Sequence, residues 1–329
     1  MSGRKKKKVK YKLRLDRVGI LLVVILSLIV LIVFFFKSCS NTTDTTPDSD
    51  TSAVQQDGSS LASFSAYETA IERLGFKKIT VPKSQVYSGA LILVNSEHGY
   101  VASDEQVSGE VSVQSNKNDS YNVINSTLML QGETVKYLNA MMQDYSTKNS
   151  DNSFMITSGY RTMAEQEILY EQTTYNDYAE NKAGFSESHT GYGFDMCAYP
   201  TDATKQSFSE YVNSSWILSN CANYGFIQRY PEAKKNTTNI SNPSHFRYVG
   251  VPHSNYITEK GICLEEYISM LNSYKFGVKS LRYSCGDKDY MVYICDAGDT
   301  DSIEVYVPAD KNYTLSGNNL NSIIVTVEL

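Results

Sequence analysis

One segment near the N-terminus constrains this chain more than any other feature. Residues 18–36 read VGILLVVILSLIVLIVFFF and carry no charge. As a helix with a rise of ~1.5 Å per residue, this segment spans the ~30 Å hydrocarbon core of a bilayer. A cleaved signal peptide would have an apolar region of only ~7–15 residues followed by small residues, whereas FFFK ends this run at 34–37. The sequence therefore predicts a single-pass transmembrane helix.

The distribution of charge sets the orientation of this helix. Residues 1–17 carry nine Lys and Arg and a single acid, Asp16. Because basic flanks stay inside, 1–17 is predicted to be a cytoplasmic tail and the main part of the chain to lie outside the membrane. All but one of the 36 acidic residues follow residue 37, with only 20 of the 30 Lys and Arg. A part this acidic binds phosphate backbones poorly, so no nucleic-acid partner is expected.

Composition divides the rest of the chain into three parts. Residues 37–64 are small and polar and cannot bury enough apolar surface to fold, so they are predicted to form a flexible linker. Residues 65–274 mix strand-like runs with helical spacing, whereas 275–329 show the alternation typical of strands. The predicted fold class is α+β: a membrane anchor, a mixed domain over 65–274 and a small all-β module over 275–329.

Individual elements follow from the same patterns. The predicted strands of the mixed domain are Leu91–Val94 and Phe154–Thr157, and its predicted helices are Thr134–Tyr145, Thr162–Ala179 and Leu264–Leu271. In the second helix, the residues expected to face the core are Met163, Ile168, Leu169 and Tyr170. The predicted strands of the β module are Tyr290–Ile294, Ile303–Val307 and Ser322–Val327.

All six cysteines follow the predicted transmembrane helix, on the side where disulfides are permitted. None belongs to a C-x-x-C pair of the kind that binds zinc. Cys285 and Cys295 flank a predicted hairpin and are the best candidates for a disulfide. Buried free thiols are the alternative.

Three motifs occur in order along the mixed domain. SGYR at 158–161 is followed by Gln166, SESHTGYGFD occupies 186–195, and NPSHFRYVG occupies 242–250. Their order and spacing resemble the VanY-type zinc D-Ala-D-Ala carboxypeptidases, of the LAS clan of peptidoglycan peptidases. LILVN at 91–95 and YGFIQRYP at 224–231 also resemble that family. The resemblance covers about residues 85–272. It implies a small central antiparallel sheet flanked by helices, and peptidoglycan stem peptides as partners.

The resemblance also implies a chemistry. In that family a His and an Asp seven positions apart bind zinc with a later His, and a Glu three positions before the last His is the general base. Asp195 falls on the Asp ligand and His245 on the last His ligand. Arg161 falls on the arginine that holds the substrate carboxylate or the scissile carbonyl. Zinc with three protein ligands and one open position lowers the pKa of a bound water.

Two positions depart from that pattern. Ser188 stands where the family has its first His ligand, and Asn242 stands where it has the catalytic Glu. A hydroxyl is a poorer zinc ligand than imidazole, and an amide has no useful basicity near neutral pH. Ser244 also replaces the Trp that usually precedes the last His. Weak or absent zinc binding is therefore expected.

Two other residues are candidates for the missing ligand. His189 directly follows Ser188, but neighbours in an extended segment point to opposite sides, so only a bulge would aim its ring at the site. Cys197 would share a strand face with Asp195 but lies ~6.6–6.8 Å further along the strand. Both alternatives stay open. His98 and His253 lie outside the motifs and are expected at the surface.

Two functional hypotheses follow. In the first, the protein is a degenerate relative, a pseudoenzyme outside a bacterial membrane that keeps the groove and Arg161 and binds stem peptides or a protein partner. In the second, it is an active zinc D,D-carboxypeptidase in which His189 or another residue completes the site. The departures at Ser188 and Asn242 favour the first, because a lost general base costs ~10²–10⁴-fold in rate.

Overall fold

The computed structural model describes Thr69 and residues 71–101, 109–172, 182–200 and 204–329. They belong to one compact unit, Ser60–Leu329. The predicted cytoplasmic tail, transmembrane helix and linker lie outside the described residues and remain predictions. In the part of the chain that is described, no helix is both long enough and apolar enough to cross a membrane.

Strands and helices are mixed along the described chain. The strands are β1 (Phe76–Pro82), β2 (Glu110–Ser112), β3 (Asn122–Val123), β4 (Met129–Gln131), β5 (Phe154–Ser158), β6 (Gly193–Ala198), β7 (Phe226–Tyr230), β8 (Asn242–Tyr248), β9 (Leu281–Cys285), β10 (Lys288–Asp296), β11 (Ser302–Pro308), β12 (Tyr313–Gly317) and β13 (Ser322–Glu328). The helices are α1 (Val113–Asn116), α2 (Gly132–Asn149), α3 (Met163–Gln172), α4 (Ser214–Asn220), α5 (Lys235–Thr238), α6 (Val251–Lys260) and α7 (Leu264–Leu271).

A five-stranded sheet in the order β3-β5-β6-β8-β7 positions the candidate site. The pairings β5–β6, β6–β8 and β7–β8 are antiparallel, whereas β3 runs parallel to β5, so the predicted antiparallel sheet is mixed at one edge. Phe194 and Met196 of β6 enter a core that also contains Leu138 of α2. Because side chains alternate across a strand, Asp195 faces the other side of the sheet.

The C-terminal residues form a four-stranded sheet in the order β12-β13-β10-β9. The three strands predicted from alternation are confirmed as parts of β10, β11 and β13. Two features connect this region to the preceding residues. The strand β1 pairs antiparallel with β11 over its whole length, and Val292 and Ile324 share one buried cluster with Ile257 of α6 and Leu264 of α7.

Local predictions of strands have different outcomes. Phe154–Thr157 lies within β5, as predicted. Leu91–Val94 is buried, but the prediction that it forms a strand is wrong. The side chains of Arg247 and Asn319 donate hydrogen bonds to two of its carbonyl groups. Because side chains distant in sequence supply the hydrogen bonds for these two carbonyl groups, the segment can be buried without a neighbouring strand that pairs with them.

Local predictions of helices are confirmed for α2 and α7. Of the helix predicted over Thr162–Ala179, the part Met163–Gln172 is present as α3, and residues 173–179 lie outside the described residues. Met163 and Tyr170 are half-buried, but the prediction that Ile168 and Leu169 face the core is wrong. Ile168 and Leu169 are 54% and 38% exposed, whereas Gln166 is buried. The Gln166 side chain accepts a hydrogen bond from Arg161 Nε at 2.7 Å. A polar contact, which apolar spacing cannot predict, therefore sets the buried face of α3.

Two further predictions are corrected. Cys285 and Cys295 are free thiols, so the disulfide prediction is wrong. Cys285 lies opposite Lys288 across the β9–β10 turn, whereas Cys295 lies near the far end of β10 opposite Ile323. His253 is buried rather than at the surface, and its ring bonds to the hydroxyls of Tyr267 and Thr326.

Candidate functional site

The register of the central sheet brings two predicted site residues together. Asp195 of β6 lies directly opposite His245 of β8. Asp195 Oδ1 and His245 Nδ1 are 3.0 Å apart. The proximity predicted from the order of the motifs is therefore confirmed.

The Asp195 carboxylate accepts hydrogen bonds on both oxygens. Asn242 Nδ2 donates to Oδ1 at 3.0 Å, and the Ser158 hydroxyl donates to Oδ2. Burial alone would raise the pKa of Asp195, but the His245 ring, the Ser158 hydrogen bond and the Arg161 charge hold that pKa well below its usual value. Asp195 is therefore an anion in the folded protein, and most of its partners are neutral.

The orientation of the Asn242 amide is fixed by its neighbour in β8. The Ser244 backbone N–H and hydroxyl both donate to Asn242 Oδ1, at 3.1 and 2.6 Å. The amide oxygen is thereby engaged, and the NH₂ group faces Asp195. Asn242 acts in this arrangement as a donor to the carboxylate, the opposite of what a general base must do.

Aromatic and glycine contacts fix the His245 ring. The Tyr230 ring stacks on it with centroids 5.2 Å apart and planes at 29°. On another side, a Cβ at Gly193 would lie 2.8 Å from Nε2, so only glycine fits there. Within the described residues, Nε2 is buried and has no hydrogen-bond partner. The ring therefore presents only Nδ1 to Asp195.

Arg161 completes a small cavity of about 260 Å³. Its lining includes Ser188, Asp195, Asn242 and His245, so the motifs meet in one place. The cavity is smaller than the ~300–1,000 Å³ of typical small-molecule pockets, a size that suits the end of a chain rather than a whole ligand. A guanidinium beside hydroxyl and amide groups can bind a carboxylate through two parallel hydrogen bonds.

The structure does not bring His189 or Cys197 to this cavity. His189 lies in a 3-10 turn, Glu187–Thr190, instead of the extended segment considered above. Its Nε2 accepts from the Gly184 N–H at 3.0 Å, and its Nδ1 donates to the Arg161 carbonyl at 2.8 Å. Both ring nitrogens thus bind backbone groups, and the ring holds the backbone carbonyl of Arg161 instead of facing the cavity. Cys197 is buried opposite Met155.

The donors present do not make a three-ligand zinc site. Asp195 Oδ1 and His245 Nδ1 are close enough to contact one ion, but Ser188 offers only a hydroxyl as a third group. In the described ranges no cluster of three His, Cys, Asp or Glu side chains could hold a metal. A zinc site that activates water needs three protein ligands and one open position, and these residues do not supply them.

A buried ion network next to the site is missing from the sequence-based prediction. Glu187 accepts from Arg229 Nε and Arg247 Nη1, each at 2.7 Å, and from the Tyr230 hydroxyl at 2.8 Å. Arg229 also binds Glu265 through two nitrogens, at 2.6 and 2.8 Å. Burial raises the pKa of Glu187, but the two guanidinium groups lower it overall to about 2. The network fixes the Tyr230 ring, and through it His245.

The sequence contains a signal for this network. Arg229 in FIQRY and Arg247 in HFRY each lie within a strongly apolar run, and both are fully buried. A buried guanidinium requires a buried counter-charge, and Glu187 stands in the second motif.

Comparison with known proteins identifies the family. The family model described as VanY, D-alanyl-D-alanine carboxypeptidase, matches residues 127–251. A D-alanyl-D-alanine carboxypeptidase of Enterococcus faecium is 34% identical over 253 residues, which cover 75% of this chain and 78% of that protein. This chain belongs to the VanY family. The match to this VanY relative is longer than the region over which the motifs show the resemblance.

Two solved structures are similar to this chain to different extents. The D,D-dipeptidase VanXYg, solved in complex with a D-Ala-D-Ala phosphinate analogue, matches with a TM-score of 0.67 and 27% identity, covering 77% of this chain and 99% of its own. A VanY D,D-pentapeptidase from a VanB-type resistance cassette, solved in complex with Zn(II), matches with a TM-score of 0.43 and 27% identity. It covers 54% of this chain and 98% of its own.

Proposed function

We propose that this VanY-family protein binds the D-Ala-D-Ala end of peptidoglycan stem peptides outside a bacterial membrane, with little or no zinc-dependent hydrolysis. The observation that carries the proposal is the Asn242 amide, which donates to Asp195 at the position of the family's general base. Membrane anchoring through residues 18–36 is part of the proposal and depends on the sequence alone.

Arg161 supports the binding part of the proposal. Its guanidinium lines the small cavity, its Nε is fixed by Gln166, and its backbone carbonyl is held by His189. A peptide carboxylate entering the cavity would find a positioned cation together with the Ser188 hydroxyl. Little side-chain freedom is lost on binding, which favours affinity.

The carboxylates near the site support the loss of hydrolysis. Asp195 is an anion that already accepts from three donors. Glu187 is fully buried, and both of its oxygens are engaged by guanidinium groups. Neither is placed to take a proton from an attacking water, because a general base must reach that proton at hydrogen-bond distance.

One observation favours the second candidate, an active zinc D,D-carboxypeptidase. The 3.0 Å between Asp195 Oδ1 and His245 Nδ1 is close to the separation of two ligands that each lie ~2.0–2.2 Å from zinc. In this candidate a metal would displace the Asn242 and His245 hydrogen bonds, and a further group would have to complete the shell. The two candidates differ in zinc content and turnover.

The test uses full-length protein purified in detergent. We expect less than one zinc per chain, binding of a pentapeptide ending in D-Ala-D-Ala, and almost no release of D-Ala. Arg161→Met should weaken peptide binding by roughly tenfold or more, the equivalent of one bidentate contact. Wild-type turnover of ~1 s⁻¹ or more, in the ordinary range of enzymes, would establish the second candidate instead.

A repair experiment tests the reason for the loss. Ser188→His combined with Asn242→Glu should raise zinc affinity, and D-Ala release should appear if the groove is intact. Each substitution alone should do much less, because ligand and base act as a unit. If Ser188→His alone restored full activity, the assignment of Asn242 as the missing base would be wrong.

Cell fractionation tests the anchoring. Full-length protein should pellet with membranes and be accessible to protease from outside, whereas a chain lacking residues 1–37 should not be membrane-bound. A form that begins near Ser38 and is found only in the culture supernatant would contradict the proposal.

A further inference from the structure

A second cavity of the described chain lies away from Asp195. It has a volume of about 660 Å³, within the ~300–1,000 Å³ range of small-molecule sites. Helices α2 and α6 and the ends of β6 and β8 line one side, and the β9–β10 turn and β12 line the other. Within the described residues its lining shares no member with the Asp195 cavity. We call it the C-terminal cleft.

Aromatic rings form one wall of the C-terminal cleft. The rings of Tyr137 and Tyr248 lie nearly parallel, with centroids 5.1 Å apart and planes at 19°. Tyr192 continues the stack, at 6.5 Å and 20° from Tyr248. The Tyr248 hydroxyl donates to Glu133 Oε1 at 3.1 Å. Tyr248 is buried in the core, so the accessible ring surface of this wall belongs to the half-buried Tyr137 and Tyr192, beside the Glu133 carboxylate.

The opposite rim combines neutral polar groups with the carboxylate of Asp287 in the β9–β10 turn. Asn223, Asn312 and Thr314 are exposed at the cleft, and in the part of the chain that is described their side chains make no hydrogen bonds. Lys288 and Glu328 neutralise each other at 2.9 Å. The cleft therefore lacks the cluster of cations that a phosphate or an acidic peptide would need.

This combination fits a saccharide. Aromatic rings pack against the C–H surfaces of sugar rings, while amides, hydroxyls and carboxylates bond to sugar hydroxyl and acetamido groups. Binding sites of this kind bury most of the ligand against apolar walls and orient it with a few polar groups.

The position of the cleft relates it to the peptide site. Tyr192 directly precedes β6 and lies three residues before Asp195, and Tyr248 ends β8 three residues after His245, a distance of ~10 Å along the sheet. Because side chains alternate, this odd spacing puts both tyrosines on the core side of the sheet, the opposite face from Asp195 and His245. The Tyr248 N–H donates to the Tyr192 carbonyl at 2.9 Å, so the two strands reach the cleft together. An extended pentapeptide spans at most ~16–18 Å. A stem peptide that ends at Arg161 and comes from the cleft must therefore be nearly extended and pass around the end of the sheet.

We propose that the C-terminal cleft binds the glycan strand of peptidoglycan. This inference rests on the proposed function, because it assumes that the peptide in the Arg161 cavity is attached to that strand. The cleft would hold the N-acetylated sugars, and the stem peptide would pass around the end of the central sheet to Arg161.

The test measures saccharide binding to full-length protein in detergent. The probes are a β-1,4-linked tetramer of N-acetylglucosamine and peptide-free glycan strands, titrated by calorimetry. Thr314→Trp fills the cleft from an exposed position and should lower saccharide affinity by about tenfold or more, whereas Thr314→Ser should leave it within about twofold. Tyr137→Ala should also weaken binding, and Tyr199→Ala, an exposed tyrosine outside the cleft, should not.

A sugar-free peptide ending in D-Ala-D-Ala separates this proposal from the proposed function. Its affinity should be unchanged in Thr314→Trp and roughly tenfold or more weaker in Arg161→Met. If neither saccharide probe binds, or if Thr314→Trp binds both as well as wild type, the glycan proposal is overturned even when the peptide binds. If the saccharides bind at the cleft and the peptide does not bind at all, the proposed function fails while the cleft remains a saccharide site.

Discussion

Two carboxylates interact with His245, and the protein holds them in opposite ways. Glu187 is fully buried between Arg229 and Arg247, so two permanent cations compensate its charge. Asp195 has a quarter of its side chain exposed and is held by an amide, a hydroxyl and an imidazole. Glu187 therefore belongs to the scaffold, where its counter-charges are fixed. Asp195 belongs to the site, where a ligand can displace its partners.

The largest effect is expected from Glu187→Gln. Removing Glu187 from this buried ion network leaves Arg247 without a counter-charge and Arg229 with Glu265 alone, so the free energy of unfolding should fall by about 3–5 kcal/mol at neutral pH. Chemical denaturation measures this loss. As a control, Glu304→Gln, which breaks an exposed pair with Lys78, should cost less than ~1 kcal/mol. A loss for Glu187→Gln as small as that of the control would remove the distinction between the two carboxylates.

Glu187→Gln should also change how the free energy of unfolding depends on pH. The pKa of Glu187 is lowered to about 2 in the folded protein, so its contribution to stability is present above its ordinary pKa of 4.5. That contribution is lost as the pH falls from 4.5 towards 2. Wild-type stability should therefore decrease more steeply across this window than that of Glu187→Gln. Parallel curves for the two proteins would contradict the lowered pKa.

An intermediate effect is expected from Asn242→Asp. This isosteric change replaces the donor to Asp195 by a second carboxylate, which should cost about 1–3 kcal/mol in EDTA because an anion loses a donor and gains a like charge. Asn242→Ala, the matched control, removes the donor without adding charge and should cost less. The melting temperatures of the three proteins decide the order. If Asn242→Asp were as stable as wild type, the amide would not be a required partner of Asp195.

The smallest effect is expected from Ser244→Ala. This change removes one of two donors to Asn242 Oδ1 but keeps the backbone N–H, so the amide should stay oriented and the loss should be about 0.5–1.5 kcal/mol. Ser209→Ala, at an exposed position, should stay within ~0.5 kcal/mol of wild type. A loss well above 2 kcal/mol would mean that the Ser244 hydroxyl alone orients Asn242.

Local patterns predicted those parts of the fold that local contacts determine. The helix Leu264–Leu271 and the β-module strands are examples, because an apolar stripe or alternation is present in the sequence itself. The proximity of Asp195 and His245 was predictable for another reason: the motifs resemble a family in which these two positions bind one zinc ion. The buried face of α3 was not predictable in this way, because Gln166 is buried by a contact with Arg161.

The features that could not be predicted depend on groups that lie far apart in the chain. Glu187 and its two arginines lie in three different elements, and no spacing rule connects them. The turn that directs His189 away from the site depends on backbone partners at Gly184 and Arg161. In both cases the residue types were visible in the sequence, but their partners were set by the tertiary structure.

The buried segment Leu91–Val94 has a consequence for the order of folding. Its carbonyl groups accept from Arg247 and Asn319, which are more than 150 residues away in the chain. Contacts with such large sequence separation form late, because the cost of closing the loop comes before their gain. During synthesis this segment must remain without its final partners until residue 319 has been added. Until then its apolar side chains are available to chaperones, so the interval before completion is the time at which this chain is most exposed to misfolding.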